Sequence, residues 1–272
     1  MIGTVALLIG VSVAGNSTAP SCRVAAAMPA QAGDYMYTFT TTEESGSESS
    51  GTVRVHGGRT RIDMDKNDSH DYIILTDAGK RMLSVQPDRK EVDQISSPSF
   101  ERIIGTSLSA VSPIVKFKVQ NAKISFGRVA TGQKLLGYGT EQIRITEQFD
   151  VHVVAMGFDG GTEHHTVVTD YWVSPGLDLG NNPIIALLER AGTAEAQTDA
   201  DFVDKESSVR SQALDGTPLR TEMKESTVDE KGIRHTNTRS MVITSIKMGP
   251  QPAALFEIPS GYRFKNHANI SM

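Results

Sequence analysis

The feature that most constrains the fold of this chain is a period-two alternation of apolar with smaller or polar side chains, repeated in short runs. Glycine, serine or aspartate bounds each run, as is typical of strands separated by turns. Successive side chains of a strand point to opposite faces, so each run predicts a strand with one buried face. The first alternating apolar positions are Tyr35, Tyr37, Phe39, Val53, Val55, Ile62 and Met64.

Turn residues between the next runs predict a three-stranded meander. Residues 71–76 and 81–85 alternate on either side of residues 77–80, where Gly79 suits a tight turn. Pro87 and Asp88 then open a second turn before the run at residues 91–95. These three runs are therefore expected to pair in order as antiparallel strands.

The second half of the chain returns to long alternating runs. Residues 140–158 and 162–174 are expected to pair across a turn at residues 159–161, which contains Gly160 and Gly161. Residues 218–226 and 233–248 predict a last hairpin, turning at residues 229–232. The opening strand of the chain is then expected to close the sheet.

Two segments have helical spacing instead, and a third is ambiguous. Apolar residues recur at intervals of three and four in residues 98–111 and 183–191, and each segment begins with a proline. Residues 193–212 are polar and suit either a linker or a frayed helix. The predicted fold is mainly β (α+β), with a large curved antiparallel sheet forming an open half-barrel covered by two or three short helices.

The first 32 residues have the pattern of a secretory signal peptide. Residues 4–15 are uncharged and apolar, and Ala30-Gln31-Ala32 suits cleavage before Gly33. The apolar run is too short to span a membrane, so no transmembrane span is expected in the mature chain. Residues 33–272 are expected to form a single half-barrel domain, periplasmic or secreted. Cys22, the only cysteine, lies in this leader, and its lipidation is an open alternative.

Charge and motifs exclude several functional classes from the prediction. The chain has a net charge of −5, and its sequence contains no basic cluster of the kind that nucleic-acid binding requires. No nucleic-acid partner is therefore expected. The chain contains no nucleophile elbow, zinc-protease helix, phosphate loop or dinucleotide fingerprint. We therefore predict no cofactor, no metal and no catalytic residue.

Three weaker chemical candidates have simpler structural interpretations. Residues 63–67 copy the first half of a calcium loop, but Asp68 replaces its turn glycine, so a solvated hairpin tip is favoured. His152 could pair across a hairpin with either His164 or His165 to hold zinc, although surface or structural histidines are more common. Asp170, two residues before Trp172, could form a sugar platform, but a core tryptophan is the simpler interpretation.

A series of short motifs, taken in order, resembles a known superfamily. The matching segments are residues 51–55, 58–63 and 74–88, Leu135-Leu136-Gly137-Tyr138, Asp170-Tyr171-Trp172-Val173 and Phe256 to Tyr262. Together they resemble the LolA- and LolB-like lipoprotein carriers, which are periplasmic half-barrels, and more closely an uncharacterised secreted domain family related to them. The resemblance implies about eleven strands, a helical lid and an apolar interior that binds acyl chains or an apolar segment of a partner. Arg54, Arg59 and Arg61 are all candidates for the arginine that latches the lid in those carriers.

The resulting hypothesis is a non-enzymatic carrier or binding protein for a lipid, an acyl chain or an apolar segment of a partner. One alternative is a structural or interaction module of the cell envelope with a packed interior and an exposed strand edge that binds a protein partner. Another is an envelope glycan hydrolase that uses the histidines or Asp170. The candidate ligand-lining residues, chosen by strand parity, are Tyr37, Phe39, Val53, Val55, Ile62, Met64, Ile73 and Leu75.

The end of the chain is expected to form a last strand that closes the sheet. Leu255, Phe256 and Ile258 would anchor this strand in the core, and Pro259 would end its hydrogen bonding. Gly261 would then turn the chain so that Tyr262 packs back.

Overall fold

The computed structural model describes residues 33–65, 70–76, 81–96, 115–155, 158–179 and 200–266. The predicted signal peptide and the two helices predicted at residues 98–111 and 183–191 lie outside these ranges. The described residues form twelve strands and one α-helix, α1 (Ala200–Ala213). The strands are β1 (Tyr35–Glu43), β2 (Glu48–His56), β3 (Arg59–Asp65), β4 (Tyr72–Thr76), β5 (Arg81–Gln86), β6 (Glu91–Ser96), β7 (Val115–Leu135), β8 (Tyr138–Ala155), β9 (Phe158–Ser174), β10 (Thr217–Val228), β11 (Arg234–Met248) and β12 (Arg263–Asn266).

All twelve strands belong to one sheet, in the order β12-β6-β5-β4-β3-β2-β1-β11-β10-β9-β8-β7. Every neighbouring pair is antiparallel except β12 with β6, which is parallel. The described strands do not close into a ring, because β7 and β12 remain at opposite edges. The mainly β fold with a large open antiparallel sheet is therefore confirmed. The opening strand β1 pairs with β11 of the last hairpin, but it lies inside the sheet and does not close it, so the expected closure of the sheet is wrong.

Most of the predicted hairpins are confirmed, but the turn predicted at residues 159–161 is wrong. Strand β9 already pairs with β8 at Phe158, opposite Ala155, so residues 159–161 lie inside the strand. The pairing is irregular here: between the paired residues Asp159 and Thr162, β9 has two residues where β8 has one, which is a bulge. Gly161 has φ +97° there, and only glycine readily adopts such a conformation in a bulge.

Helix α1 resolves the ambiguity of residues 193–212 in favour of a helix over its described part. Phe202 and Val209 lie seven residues apart on one side of the helix, and Ala213 continues the same stripe. Phe202 is 3% exposed and its ring contacts that of Phe149 on β8, with centroids 4.8 Å apart. The helix was not predicted clearly because only a few of its positions are apolar and the rest of its sequence is polar.

The two faces of the sheet carry different apolar clusters. We call the face that α1 covers the inner face; it holds Tyr37, Tyr171 and Phe149. The opposite, outer face carries a smaller cluster on β4–β6, which the C-terminal segment covers. The members of this outer cluster are Tyr72, Ile74, Val85 and Val92, with Leu83, Ile258 and Tyr262 packed against them.

The C-terminal segment packs as expected, but its predicted strand at residues 254–258 is wrong. Residues Ala253–Phe256 form a 3₁₀ helix, for which Pro252 supplies a suitable φ of −59°. Phe256 is 3% exposed and lies beside the ring of His56, at a centroid distance of 5.6 Å. The chain turns at Gly261 (φ +83°) and then forms β12 against β6.

We expect the attachment of β12 to weaken in acid. Lys265 and Arg263 both form ion pairs with the buried carboxylate of Glu91 on β6. Hydrogen bonds from Lys265 and then Arg263 hold the pKa of Glu91 below its ordinary value of 4.5. A carboxylate with a lowered folded-state pKa stabilises the fold fully above the unfolded-state pKa, and this contribution is lost as the pH falls through the folded-state pKa.

Hydrogen exchange of the amides of residues 263–266, corrected for intrinsic rates, measures this effect. Protection should decrease as the pH falls from about 6 towards 3, and Glu91→Gln should remove that dependence. Glu257→Gln, at an exposed position nearby, is the matched control. An unchanged acid response in Glu91→Gln would contradict the assignment.

Candidate functional site

The structure brings all eight candidate lining residues onto the inner face in one cluster. Across the strands, Tyr37 lies opposite Val53, and Val53 lies opposite Ile62. Ile62 in turn lies opposite Ile73 on β4. Directly opposite residues have Cβ atoms about 5 Å apart, so this row forms a continuous apolar surface across four strands. The remaining members of the eight are Phe39, Val55, Met64 and Leu75.

Burial divides this surface into a closed part and a partly open part. Tyr37, Phe39, Val53 and Ile62 are at most 3% exposed and belong to the packed core. The other four, on β2–β4, are only half-buried and pack along the edge of the same cluster: Val55, Met64, Ile73 and Leu75. Apolar surface that is still partly exposed next to a packed core is the kind of surface that apolar ligands bind.

The turn between β7 and β8 adds residues to this surface that the parity argument did not include. Leu135 and Tyr138 are half-buried against the cluster, although they are remote from β1–β4 in sequence. Leu136 and Gly137 between them have φ values of 53° and 85°, as in a tight type I′ hairpin turn. The Leu-Leu-Gly-Tyr motif was therefore the available signal, but only the fold shows where it packs.

A polar anchor lies within the cluster beside Leu177 and Leu179. The hydroxyl of Tyr35 donates a hydrogen bond to the carbonyl oxygen of Leu179. The amide of Leu179 donates to Thr217 Oγ1 at 3.1 Å. Burial, with a smaller contribution from the charge of Asp178, raises the pKa of Tyr35 to about 12. Tyr35 therefore remains a neutral hydrogen-bond donor that ties the segment after β9 to β1.

A second buried group, of charged residues, lies beneath α1. Arg210 on the helix donates from Nη1 to the hydroxyl oxygen of Tyr171 at 2.6 Å and from Nη2 to Glu206 Oε1 at 2.5 Å. The same Nη2 lies 3.5 Å from Oε1 of Glu147 on β8, which is 2% exposed. One guanidinium group thus joins the helix to two strands. The signal in the sequence was Glu147, an acid at the apolar parity of Ile145 and Phe149, and the sequence analysis missed it.

The three candidate histidines do not converge. His165 is on the inner face, stacked on Phe149 with a centroid distance of 5.0 Å, and its Nδ1 lies 3.3 Å from Glu225 Oε1. On β8 and β9 the odd-numbered positions, such as Phe149 and His165, face inward, so His152 and His164 are on the outer face. Their strand partners there are Thr162 and Asp150. Among the described residues, no group of three or more histidine, cysteine, aspartate or glutamate side chains could hold a metal ion.

The outer-face histidines instead have local hydrogen-bond partners. His152 Nδ1 lies 3.2 Å from Thr162 Oγ1, and His164 Nδ1 lies 2.6 Å from Asp150 Oδ1. Hydrogen bonds from Asn121 and then His164 hold the pKa of Asp150 below its ordinary value. This arrangement ties β8 to its two neighbouring strands.

The other chemical candidates are also engaged in structural contacts. Asp170 accepts two hydrogen bonds from Arg144, at 2.8 and 2.7 Å, which raise the pKa of that guanidinium. Trp172 is 7% exposed, and Arg220 lies over its ring at 4.6 Å from the centroid. Asp63, the first residue of the calcium-like segment, pairs with arginines of β2 and β3.

The three arginines that were candidates for latching a lid, Arg54, Arg59 and Arg61, lie on the outer face, opposite the face that α1 covers. Arg54 pairs with Asp63. Arg61 donates to the carbonyl oxygen of Leu255 at 2.9 Å, and Arg59 donates to that of Phe256 at 3.4 Å. Two of these arginines therefore hold the C-terminal 3₁₀ helix.

Comparisons with known proteins add little to this geometry. No family model matches the chain, and no curated protein matches it. Among solved structures, an uncharacterized conserved protein from Thermus thermophilus matches with 9% identity and a TM-score of 0.36, over 87% of this chain and 91% of that chain. A similarity at this level does not indicate a shared function. Within the described ranges, no helix is long and apolar enough to cross a membrane.

Proposed function

We propose that this protein is a non-enzymatic carrier or binding protein of the cell envelope, periplasmic or secreted, and similar to the LolA- and LolB-like carriers. Its ligand would be a lipid, an acyl chain or an apolar segment of a partner, held on the inner face. One observation supports this proposal: half-buried apolar side chains on β2–β4 continue a fully buried apolar core.

The chemistry of this part of the face suits a hydrocarbon ligand. The inner-face positions of β2–β4 carry no charged side chain and are occupied by apolar residues, glycine, serine or threonine. Burying apolar surface contributes roughly 25 cal/mol per Å², from which the costs of ordering the ligand are subtracted. A hydrocarbon ligand would therefore bind here by burying apolar surface, without a polar contact.

An interaction module with a packed interior remains the second candidate, and a specific observation favours it. Tyr37, Phe39, Val53 and Ile62 are at most 3% exposed, so half of the candidate lining is already packed by the protein itself. The glycan hydrolase has no comparable support, because Asp170 is held by Arg144 and the histidines lie on different faces.

We expect native mass spectrometry after gentle purification to show a co-purified lipid. Changing Met64 and Leu75 together to glutamine should reduce its occupancy about tenfold or more, since each buried amide without a partner costs about 1–3 kcal/mol. Leu83→Gln, at a half-buried position on the outer face, is the matched control and should leave the occupancy unchanged. A clean ligand-free mass for the wild-type protein, together with a dry interior, would contradict the carrier and favour the packed module.

A further inference from the structure

Strand β7 is the last strand of the described sheet, and its outer edge faces away from β8. It is 21 residues long, and residues 125–134 are exposed at every position. A strand at the edge of a sheet presents backbone N–H and C=O groups that another extended chain can pair with. The length and exposure of β7 make this edge available for strand addition.

The charge of β7 differs from that of the rest of the molecule. The whole chain has a net charge of −5, whereas β7 contains five basic residues and no aspartate or glutamate. Lys118 and Lys123 are exposed and both lie on the outer face of the strand, opposite His152 and Gln148 of β8. Arg128 is paired with Glu141 at 2.7 Å, so the two lysines supply the field at this part of the edge. An incoming strand with acidic side chains on that face would be attracted to it.

Irregular pairing limits where a strand can be added. The pairing of β7 with β8 shifts between Gln120 and Lys123, between Arg128 and Ala130, and again between Thr131 and Gln133. Bulges interrupt the even spacing of edge groups, so they discourage long pairings. Two regular parts remain, Val115 to Gln120 and Lys123 to Arg128, and each has about six residues, the length of an ordinary strand. Only the second reaches into the stretch that is exposed at every position, so it is the better place for an added strand.

The side chains of this regular part alternate in character. Ile124 and Phe126 point to the inner side, and Phe126 is 48% exposed. Lys123 and Ser125 point to the outer side. A matching strand would place apolar side chains beside Phe126 and acidic side chains beside Lys123, which is an alternating apolar and acidic sequence.

A second copy of this chain does not fit the edge. Two β7 strands would bring like charges together, because neither strand carries an acid, and like charges across a pair of strands are destabilising. The terminal segments 1–32 and 267–272 contain no aspartate or glutamate either. The charge therefore selects against self-pairing and in favour of an acidic chain from another protein.

We propose that residues 123–128 of β7 bind an extended acidic segment of a protein partner, which adds to the sheet as a further antiparallel or parallel strand. The lysines exclude other copies of this chain and at the same time attract the partner. This docking edge is distinct from the ligand surface proposed on the inner face of β2–β4, because none of residues 123–128 belongs to that apolar cluster, which β7 reaches only at Leu135.

The probe is a fluorescent decapeptide that alternates valine with glutamate, titrated with the full chain and followed by anisotropy. We expect saturable binding that weakens with added salt, and none for the valine–lysine counterpart. Lys118→Glu combined with Lys123→Glu should weaken binding about tenfold. The matched control is Lys224→Glu combined with Lys247→Glu, which changes the net charge by the same amount. These lysines are exposed and lie on β10 and β11, which are not edge strands, so binding should be unchanged.

A second measurement separates strand pairing from charge attraction alone. The decapeptide is N-methylated at every second residue in each of the two frames, which removes the donors of one edge at a time. Strand addition predicts that one frame abolishes binding while the other retains it, and that amides of residues 123–128 gain protection from hydrogen exchange. Equal binding of both frames, no saturation below about 1 mM, or equal affinity of the two charge variants would each overturn the proposal.

Discussion

Replacing Arg210 with methionine is expected to destabilise the protein by about 3–5 kcal/mol, one of the two largest effects that we predict. The guanidinium group bridges Glu206 on α1 and Glu147 on β8, and it also donates to Tyr171. Both carboxylates are almost fully buried, at 2% and 6% exposed for Glu147 and Glu206. Removing the cation would leave two buried negative charges without their common counter-charge, which costs far more than an exposed ion pair.

Chemical denaturation of the wild-type and variant proteins measures this effect as a change in the free energy of unfolding. Arg144→Met is the matched control, because its pair with Asp170 is half-exposed and should contribute at most about 1 kcal/mol. Adding Glu147→Gln to Arg210→Met should recover about 1–2 kcal/mol, since one uncompensated charge disappears. Equal losses for the two arginine variants would show that the buried cluster does not hold α1 in place.

The second large effect is expected for Gly216→Ala, at the connection between α1 and β10. Gly216 has φ +123°, which residues with a side chain rarely adopt, and an added Cβ would collide with the carbonyl oxygen of Ser174. That oxygen belongs to the backbone, so no side-chain rotation can relieve the contact. Backbone strain and overpacking each cost about 1–3 kcal/mol, and we expect a combined loss of about 3–4 kcal/mol.

Gly232→Ala is the matched control for this prediction. Gly232 also has a positive φ, of +77°, but an added Cβ would meet nothing within 4 Å at this hairpin turn. Its cost should be the conformational term alone, about 1 kcal/mol. Thermal or chemical denaturation of both variants gives the difference between them, which isolates the collision with the β9–α1 segment. A difference near zero would mean that the backbone around Ser174 moves to accept the methyl group.

The period-two pattern was sufficient to predict most strands and to place eight apolar residues on one face. It succeeded there because one face of β1–β4 is buried, so that face requires apolar side chains at every second residue. It failed for β7, which is exposed on both faces along residues 125–134 and so has no reason to alternate. The packing of Leu135 and Tyr138 against β1–β4 could not be predicted, because it depends on the curvature of the whole sheet.

The candidate site was predictable only in its apolar part. Glu147 breaks the apolar parity of β8 and could have been noticed, but its partner Arg210 lies in a polar helix with no comparable signal. The C-terminal 3₁₀ helix was missed because its composition, Ala253-Ala254-Leu255-Phe256, suits a strand, a helix or a 3₁₀ turn equally. Its contacts with Arg59 and Arg61, which join residues distant in sequence, decide the outcome.

The position of β1 in the middle of the sheet has a consequence for the order of folding. Its partner β11 follows about 200 residues later in the chain, and such distant pairings form slowly. While the protein is being synthesised, β1–β6 can already pair among themselves, but β1 keeps an unpaired edge until nearly the whole chain has emerged. The newly made N-terminal half is therefore the stage at which this protein most needs protection from aggregation, and assistance by a chaperone would act there.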